Sequence, residues 1–154
     1  MRFLAGQTGT VDQHKNQRVV VGDLKAMGLI IQKTPTPAAL TVTATLTTAQ
    51  LLSGLMTANQ GGAAGATYTL PAGSVFEAAA KALGLELEND DSFEFTIVNI
   101  STVGAEDVTV QGATGMVAVG NMTIASNAAV GDQAWGTFRL RKVATESYTF
   151  YRVG

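Results

Sequence analysis

The chain has 154 residues, of which 46% are apolar, only 14% are charged and none is cysteine. This length suits one domain. The lack of cysteine excludes thiol catalysis, thiolate zinc sites and disulfides, and a net charge of −2 with scattered basic residues argues against a nucleic-acid partner. Soluble domains usually carry about a quarter charged residues. We therefore expect a surface of threonine, serine, alanine and glycine that packs against neighbouring proteins.

The sequence also lacks the signals of a membrane or secretory protein. No window approaches the ~18 consecutive apolar residues of a membrane span. Arg2 supplies a positive charge at the amino terminus, but no long apolar stretch follows it. We expect a chain that is made in a cytoplasm and has no membrane partner.

Residues 1–39 are predicted to form an extended N-terminal arm and linker. They contain the only histidine, His14, within a polar segment. Prolines at positions 35 and 37 break regular structure before the domain begins. Two short apolar runs in the arm predict a hairpin or a strand that packs on a neighbouring subunit; they are Val19-Val20-Val21 and Leu29-Ile30-Ile31.

Residues 40–154 are predicted to form the domain, and its first unit is a strand followed by a helix. Apolar residues alternate with threonine over residues 40–47, which is the period of a half-buried strand. Thr47 or Thr48 is predicted to cap the helix. The helix is expected to bury one face, made of Leu51, Leu52, Leu55 and Met56.

A second strand and helix follow a glycine-rich loop at residues 59–65, which suggests an internal duplication. Residues 67–70 read as the strand and Ser74 as the helix cap. Glu77 and Lys81 have the i,i+4 spacing of a surface ion pair. The predicted buried stripe consists of Val75, Phe76, Ala79, Ala80 and Leu83.

The carboxyl half reads as strands throughout. Phe93, Phe95 and Ile97 alternate with polar residues, and short strands are predicted at residues 107–111, 116–119 and 122–125. A final hairpin, residues 137–143 and 147–153, points Phe138, Leu140, Tyr148 and Phe150 inward. Many short strands with two short helices predict a mostly β domain, a jelly-roll-like antiparallel β-sandwich.

Three patterns raise the question of chemistry, and each has a simpler interpretation. The acidic residues Glu88, Asp90 and Asp91 would offer oxygens to calcium, but the same residue types also make a turn before a strand. His14 has no partner ligand or orienting group in its pattern. The loop at residues 61–65 lacks the Gly-Lys-Ser/Thr ending of a phosphate cradle. We predict no catalytic residue, metal or cofactor.

Two patterns point to binding instead. Trp135 and Tyr151 would stack on a sugar, or they are core or interface aromatics. Arg139 and Arg141 share a strand face and would pair with the carboxylates of a neighbouring subunit. The predicted protein-interaction residues are therefore Phe3, Leu4, Val19, Val20, Val21, Leu29, Ile30, Ile31, Arg139 and Arg141.

The order of these elements resembles that of a family of virion proteins. Residues 40–54 look like a threonine-alternating strand followed by a helix that starts Thr-Ala-Gln-Leu-Leu. The strand at residues 67–71 with its alanine-rich helix, the strand at 91–99, and the closing hairpin at 138–152 are similar in kind and order. Together they resemble the capsid decoration, or cement, proteins of tailed bacteriophages.

This resemblance implies a structural role rather than an enzyme. Proteins of this family sit on the outside of the head, commonly as homotrimers, and bind the major capsid protein. The expectation is therefore a non-enzymatic virion protein on the outer capsid surface, made in the host cytoplasm. Two alternatives remain open: a fibre-head or carbohydrate-binding module for host recognition, and a metal-dependent hydrolase that uses residues 88–91.

Overall fold

The computed structural model describes residues 35–62, 64–128 and 133–154. The described chain is mostly β, with two sheets and two helices, as the sequence predicts. The arm residues 1–34, including His14 and eight of the predicted interaction residues, lie outside the described residues.

The ten strands are short, and most are separated by turns or helices. The strands are β1 (Ala38–Leu40), β2 (Ala44–Thr45), β3 (Leu55–Ala58), β4 (Ala66–Thr69), β5 (Ser92–Asn99), β6 (Val108–Gln111), β7 (Met116–Val119), β8 (Thr123–Ile124), β9 (Trp135–Ala144) and β10 (Ser147–Arg152). The helices are α1 (Thr48–Leu52), which follows β2, and α2 (Gly73–Ala82), which follows β4.

Successive strands alternate between the two sheets. The six-stranded sheet has the order β1-β3-β5-β9-β10-β7, and the four-stranded sheet has the order β2-β4-β6-β8. The chain therefore crosses from one layer to the other after each of the strands β1 to β8. The β9–β10 hairpin is the exception in the described chain, because both its strands lie in one sheet.

This winding overturns the predicted antiparallel, jelly-roll-like pairing. In the described chain five of the eight strand pairs are parallel: β1–β3, β3–β5, β2–β4, β4–β6 and β7–β10. Parallel neighbours need a crossover connection, and here the passage through the opposite sheet supplies it for β1–β3, β3–β5, β2–β4 and β4–β6. Antiparallel pairs occur at β5–β9, β9–β10 and β6–β8.

The topology supports the predicted internal duplication. The segment β2–α1–β3 lies beside β4–α2–β5, strand against strand: Ala44 is in register with Tyr68, and Met56 with Ile97. The two helices also contact each other. Each unit begins in the four-stranded sheet, turns through its helix and ends in the six-stranded sheet.

The first predicted strand is wrong in its extent, because residues 41–43 carry the chain from one sheet to the other. Only β1 and β2 remain of it, and Val42 and Ala44 are exposed rather than buried. Leu40 and Leu46, which flank the crossing, are buried as expected. The threonine alternation is thus not the pleat of one long strand.

Helix α1 begins where the sequence predicts but ends earlier. Thr47 Oγ1 accepts the backbone N–H of Gln50, and Gln50 Oε1 accepts the N–H of Thr47 at 2.8 Å, which is a capping box. Gly54 has φ of +79°, a conformation that favours glycine and stops the helix. Leu55 and Met56 therefore belong to β3, not to the helix face.

The core lies between the sheets and under the helices. Phe95, Ile97, Phe138, Leu140 and Phe150 are fully or almost fully buried on the inner face of the six-stranded sheet, as the strand alternation predicts. Further aromatic packing ties α2 to this sheet, because the Phe76 ring stacks on Phe93 at 5.5 Å and meets Tyr148 edge-on at 5.2 Å.

Candidate interaction surfaces

Arg139 and Arg141 lie on the outer face of the six-stranded sheet, where the register places carboxylates beside them. Arg139 is opposite Glu94, and their Nη2 and Oε1 atoms are 2.6 Å apart. Arg141 pairs with Asp90. Both pairs are well exposed to solvent, and such pairs contribute at most about 1 kcal/mol. The arginines are thus paired within their own chain, and their contact with another subunit stays a prediction.

The acidic loop before β5 is docked against β9. Asp91 Oδ2 accepts the backbone N–H of Glu88 at 2.8 Å, and Asp90 has φ of +75°. The backbone N–H of Asp90 donates to Lys142 O at 2.9 Å. Over the described ranges, no group of three or more histidine, aspartate or glutamate side chains is arranged to hold a metal ion. The carboxylates of this loop do not converge.

Trp135 and Tyr151 also lie on the outer face of the six-stranded sheet. Trp135 is 45% exposed at the start of β9, next to the carboxyl-terminal Gly154. Tyr151 is half-buried and faces Arg139 across the β9–β10 pair. Trp135 is four residues from Arg139, so about 13 Å of strand separates the two aromatic positions. They do not form one continuous stacking platform.

The glycine-rich loop binds a carboxylate of its own chain. Backbone N–H groups of Gln60, at 3.1 Å, and Gly62 donate to the two carboxylate oxygens of Glu106, which is fully buried. Exposed backbone N–H groups are the part of such a loop that would hold a phosphate. Here they hold a buried carboxyl group of the same chain, and a single glutamate before β6 is the one sign of it in the sequence pattern.

Tyr68 lies beneath the same loop. Its hydroxyl accepts an N–H of Gln60 at 2.8 Å and donates to Leu40 O at 3.1 Å. Burial raises the pKa of Tyr68 above its ordinary value, and the nearby Glu106 carboxylate raises it further, against the lowering effect of Gln60. The phenol therefore stays neutral and ties the loop to β1.

A buried ion pair holds α2 against the β9–β10 hairpin. The Lys142 side chain is 8% exposed, and its Nζ lies 2.6 Å from Glu77 Oε1 and 2.9 Å from Leu87 O. The other Glu77 oxygen accepts the N–H of Glu146 at 2.7 Å and the Tyr148 hydroxyl at 3.2 Å. Glu77 therefore points toward β9 and β10, and its predicted surface pair with Lys81 is replaced by this contact.

The contacts within this cluster shift the pKa values of Glu77 and Tyr148. The hydrogen bond from Lys142 lowers the pKa of Glu77 below its ordinary value, against a smaller opposing effect of burial. Burial, and then the charge of Glu77, raise the pKa of Tyr148. Glu77 is thus held ionised and Tyr148 neutral, the states that their mutual hydrogen bond needs.

An apolar groove lies between α1 and α2. We call it the α1–α2 groove. Its volume is about 580 Å³. Its lining consists of Thr45, Leu46, Thr47, Thr48, Ala49, Pro71, Ala72, Val75, Ala79, Ala82 and Leu83.

Helix α2 opens this groove because it buries a narrower face than predicted. Gly73, Phe76 and Ala80 are buried, whereas Val75 is 57% and Leu83 62% exposed. The helix also starts at Gly73 after Ala72, without the predicted Ser74 cap. The apolar stripe of α2 is therefore wider than the surface that the described chain packs against, and Val75 and Leu83 remain at the rim.

Comparisons with known proteins do not assign the chain to a family. No protein-family model, no curated protein and no solved structure matches the chain. Among the described helices, none is both long and apolar enough to cross a bilayer.

Proposed function

We propose that this protein decorates and stabilises the outside of a bacteriophage head, where it binds the major capsid protein as a homotrimer. The observation that carries this proposal is the amount of apolar surface left exposed on a chain with few charges. Besides the α1–α2 groove, Val42, Val117, Val119 and Val153 are all about half exposed or more. The α1–α2 groove is a continuous apolar surface, and such surfaces mark sites of protein association.

The architecture suits the role in a second way. Two packed sheets and a buried ion pair give a stiff body, and the proposal does not depend on a jelly-roll topology. The β-rich body, which includes β1 from Ala38 onward, would form the trimer, and the arm ahead of β1 would lie on the capsid protein or along a sister subunit. Burial of the valine and isoleucine runs of the arm, at about 25 cal/mol per Å², would contribute a few kcal/mol per copy, and three copies add avidity.

The experiment measures occupancy of empty heads of the phage that encodes the chain. The full-length protein is mixed with undecorated heads, and bound copies are counted alongside the mass of the free protein by light scattering. We expect saturable binding in trimeric units. Deletion of residues 1–33 should reduce occupancy; a monomer that ignores heads would refute the proposal.

One observation favours a second candidate, a fibre-head or carbohydrate-binding module. Trp135 is 45% exposed, and Arg152, whose Nη2 donates to Trp135 O at 3.0 Å, lies beside it. An exposed indole is a stacking surface for a sugar ring, and Arg152 holds the strand end that carries it by also donating to the carbonyl oxygens of Thr123 and Gly154. Glycan-array binding that is lost in Trp135→Ala and kept after deletion of residues 1–33 would favour this module over a decoration protein.

A further inference from the structure

Strand β7 forms an open edge of the six-stranded sheet. It pairs with β10 on one side, with Val117 in register with Thr149. Val117 is 57% and Val119 47% exposed, and Ala118 is exposed between them. Residues 115–121 carry no charge and no proline. Such an edge is a template for another strand unless something covers it.

The other edges in the described chain are protected. Strand β1, at the far side of the same sheet, has three residues and follows Pro35 and Pro37. The four-stranded sheet ends in β2 and β8, which have two residues each. Short edge strands and adjacent prolines both discourage strand addition. Strand β7 is therefore the edge best able to accept one.

The backbone of β7 presents hydrogen-bonding groups to its open side. Tyr148 is in register with Met116, and its N–H donates to Gly115 O at 2.8 Å. In a parallel ladder, alternate residues bond one neighbour, so Val117 and Val119 bond β10. The N–H and C=O of Ala118 then point away from β10 and are the groups that an added strand would bond, because the C=O of Met116 lies against the backbone of Gly112.

We propose that the open β7 edge accepts residues 19–21 of another copy of this chain as an added strand. This inference rests on the proposed function, because it assigns the contact that joins the subunits of the homotrimer. Val19, Val20 and Val21 are β-branched, favour extended backbone and carry no charge. Backbone bonds would give the affinity, and valines on the shared outer face would pack together.

The length of the arm permits this exchange. Sixteen residues lie between position 21 and Ala38, the start of β1, and at about 3.3 Å per residue a fully extended chain of this length reaches at most about 55 Å. Each copy offers one donor run and one acceptor edge, which are different surfaces. Such a heterologous contact is compatible with a closed ring of three copies, and light scattering distinguishes that ring from the two-fold dimer that reciprocal exchange between two copies would give.

Single cysteines test the contact directly, because the chain has none of its own. One full-length chain carries Val119→Cys, and a second, distinguished by a tag, carries Val19→Cys, Val20→Cys or Val21→Cys in turn. After mixing and mild oxidation, at least one pair should form tagged–untagged disulfide dimers, since a disulfide needs Cβ atoms about 4 Å apart. The matched control replaces Val119→Cys by Val42→Cys, which lies on an exposed crossing loop.

The yield of mixed dimers should exceed that of the Val42→Cys control by about tenfold at the best-placed arm position, since only that pair meets the disulfide geometry. Equal yields would overturn the inference. So would a chain carrying both cysteines that forms only an internal link, which would mean that the arm folds back on its own body.

A proline substitution gives a second readout. Ala118→Pro removes the outward N–H without changing a residue that bonds β10, and Ala118→Ser keeps that N–H. We expect the proline variant to lose the trimer in light scattering while its melting temperature stays close to that of the serine variant.

A proline variant that remains trimeric on heads would overturn arm exchange and leave the proposed function intact. Wild-type protein that ignores heads would overturn the proposed function itself.

Discussion

Lys142 shows how much depends on one side chain. Its ammonium is almost fully buried between Glu77 and Leu87 O. We expect Lys142→Met, which keeps the length of the stem, to lower the free energy of unfolding by about 2 kcal/mol, because it leaves a partly buried carboxylate without its cation. Arg139→Met is the control; it breaks an exposed pair and should cost less than about 1 kcal/mol. Urea unfolding of both variants measures the difference, and equal losses would contradict the assignment.

Glu77 adds a pH dependence to the stability. Its pKa is lowered in the folded state, so the unfolded chain binds the proton at higher pH. The stabilisation is therefore complete well above the ordinary value of 4.5 and is lost as the pH falls through the lower folded value. We expect the stability gap between wild type and Glu77→Gln to shrink between neutral pH and about pH 3. Urea unfolding across this range checks it; a constant gap would show that the carboxylate charge is not involved.

Among the elements, α2 starts at a glycine, Gly73, where there is no room for a side chain. A Cβ at Gly73 would lie 2.7 Å from the carbonyl carbon of Glu146 and closer still to its oxygen. Gly73→Ala must therefore push the helix away from the β9–β10 turn, at a cost of about 2 kcal/mol. Gly104→Ala is the matched control, since its new methyl meets only Ala128 Cβ, at 3.8 Å. Thermal unfolding should separate the two; a tolerated Gly73→Ala would mean that this contact yields.

The elements that the sequence predicts best are those whose residue pattern fits only a strand or only a helix. The alternation at Phe93, Phe95 and Ile97 and the capping residues around Thr47 lead directly to β5 and α1. The apolar period mispredicts which residues are buried where packing between distant elements decides burial. Val75 and Leu83 belong to an apolar stripe that nothing in the described chain covers, and Val42 lies where the chain changes sheets. Neither the uncovered part of the stripe nor the position of the crossing can be read from the local sequence pattern.

At the scale of the whole molecule, the mostly β class is predictable, whereas the number of strands and their order are not, since β3 lies where the pattern predicts part of a helix. Short strands at regular spacing indicate two packed sheets, and the structure has two. Whether a strand returns beside its predecessor or crosses to the opposite layer is decided by which faces can be buried together. The candidate site follows the same rule, since the α1–α2 groove and the open β7 edge arise only once α2 and β10 are in place.

The low charge of the molecule predicts how it should bind. With 14% charged residues and a net charge of −2, association must come mainly from apolar burial and backbone hydrogen bonds. Salt screens exposed charges over about 10 Å at 0.1 M and leaves apolar contacts largely intact. We therefore expect head occupancy to change less than about twofold between 0.05 and 0.5 M NaCl. Sedimentation of heads with bound protein measures this. The variant Arg139→Glu with Arg141→Glu is the informative comparison. If these arginines contact a capsid carboxylate, wild-type occupancy will fall with salt, and the charge-reversed variant will bind weakly and gain occupancy as salt screens the repulsion. Apolar attachment leaves both curves flat.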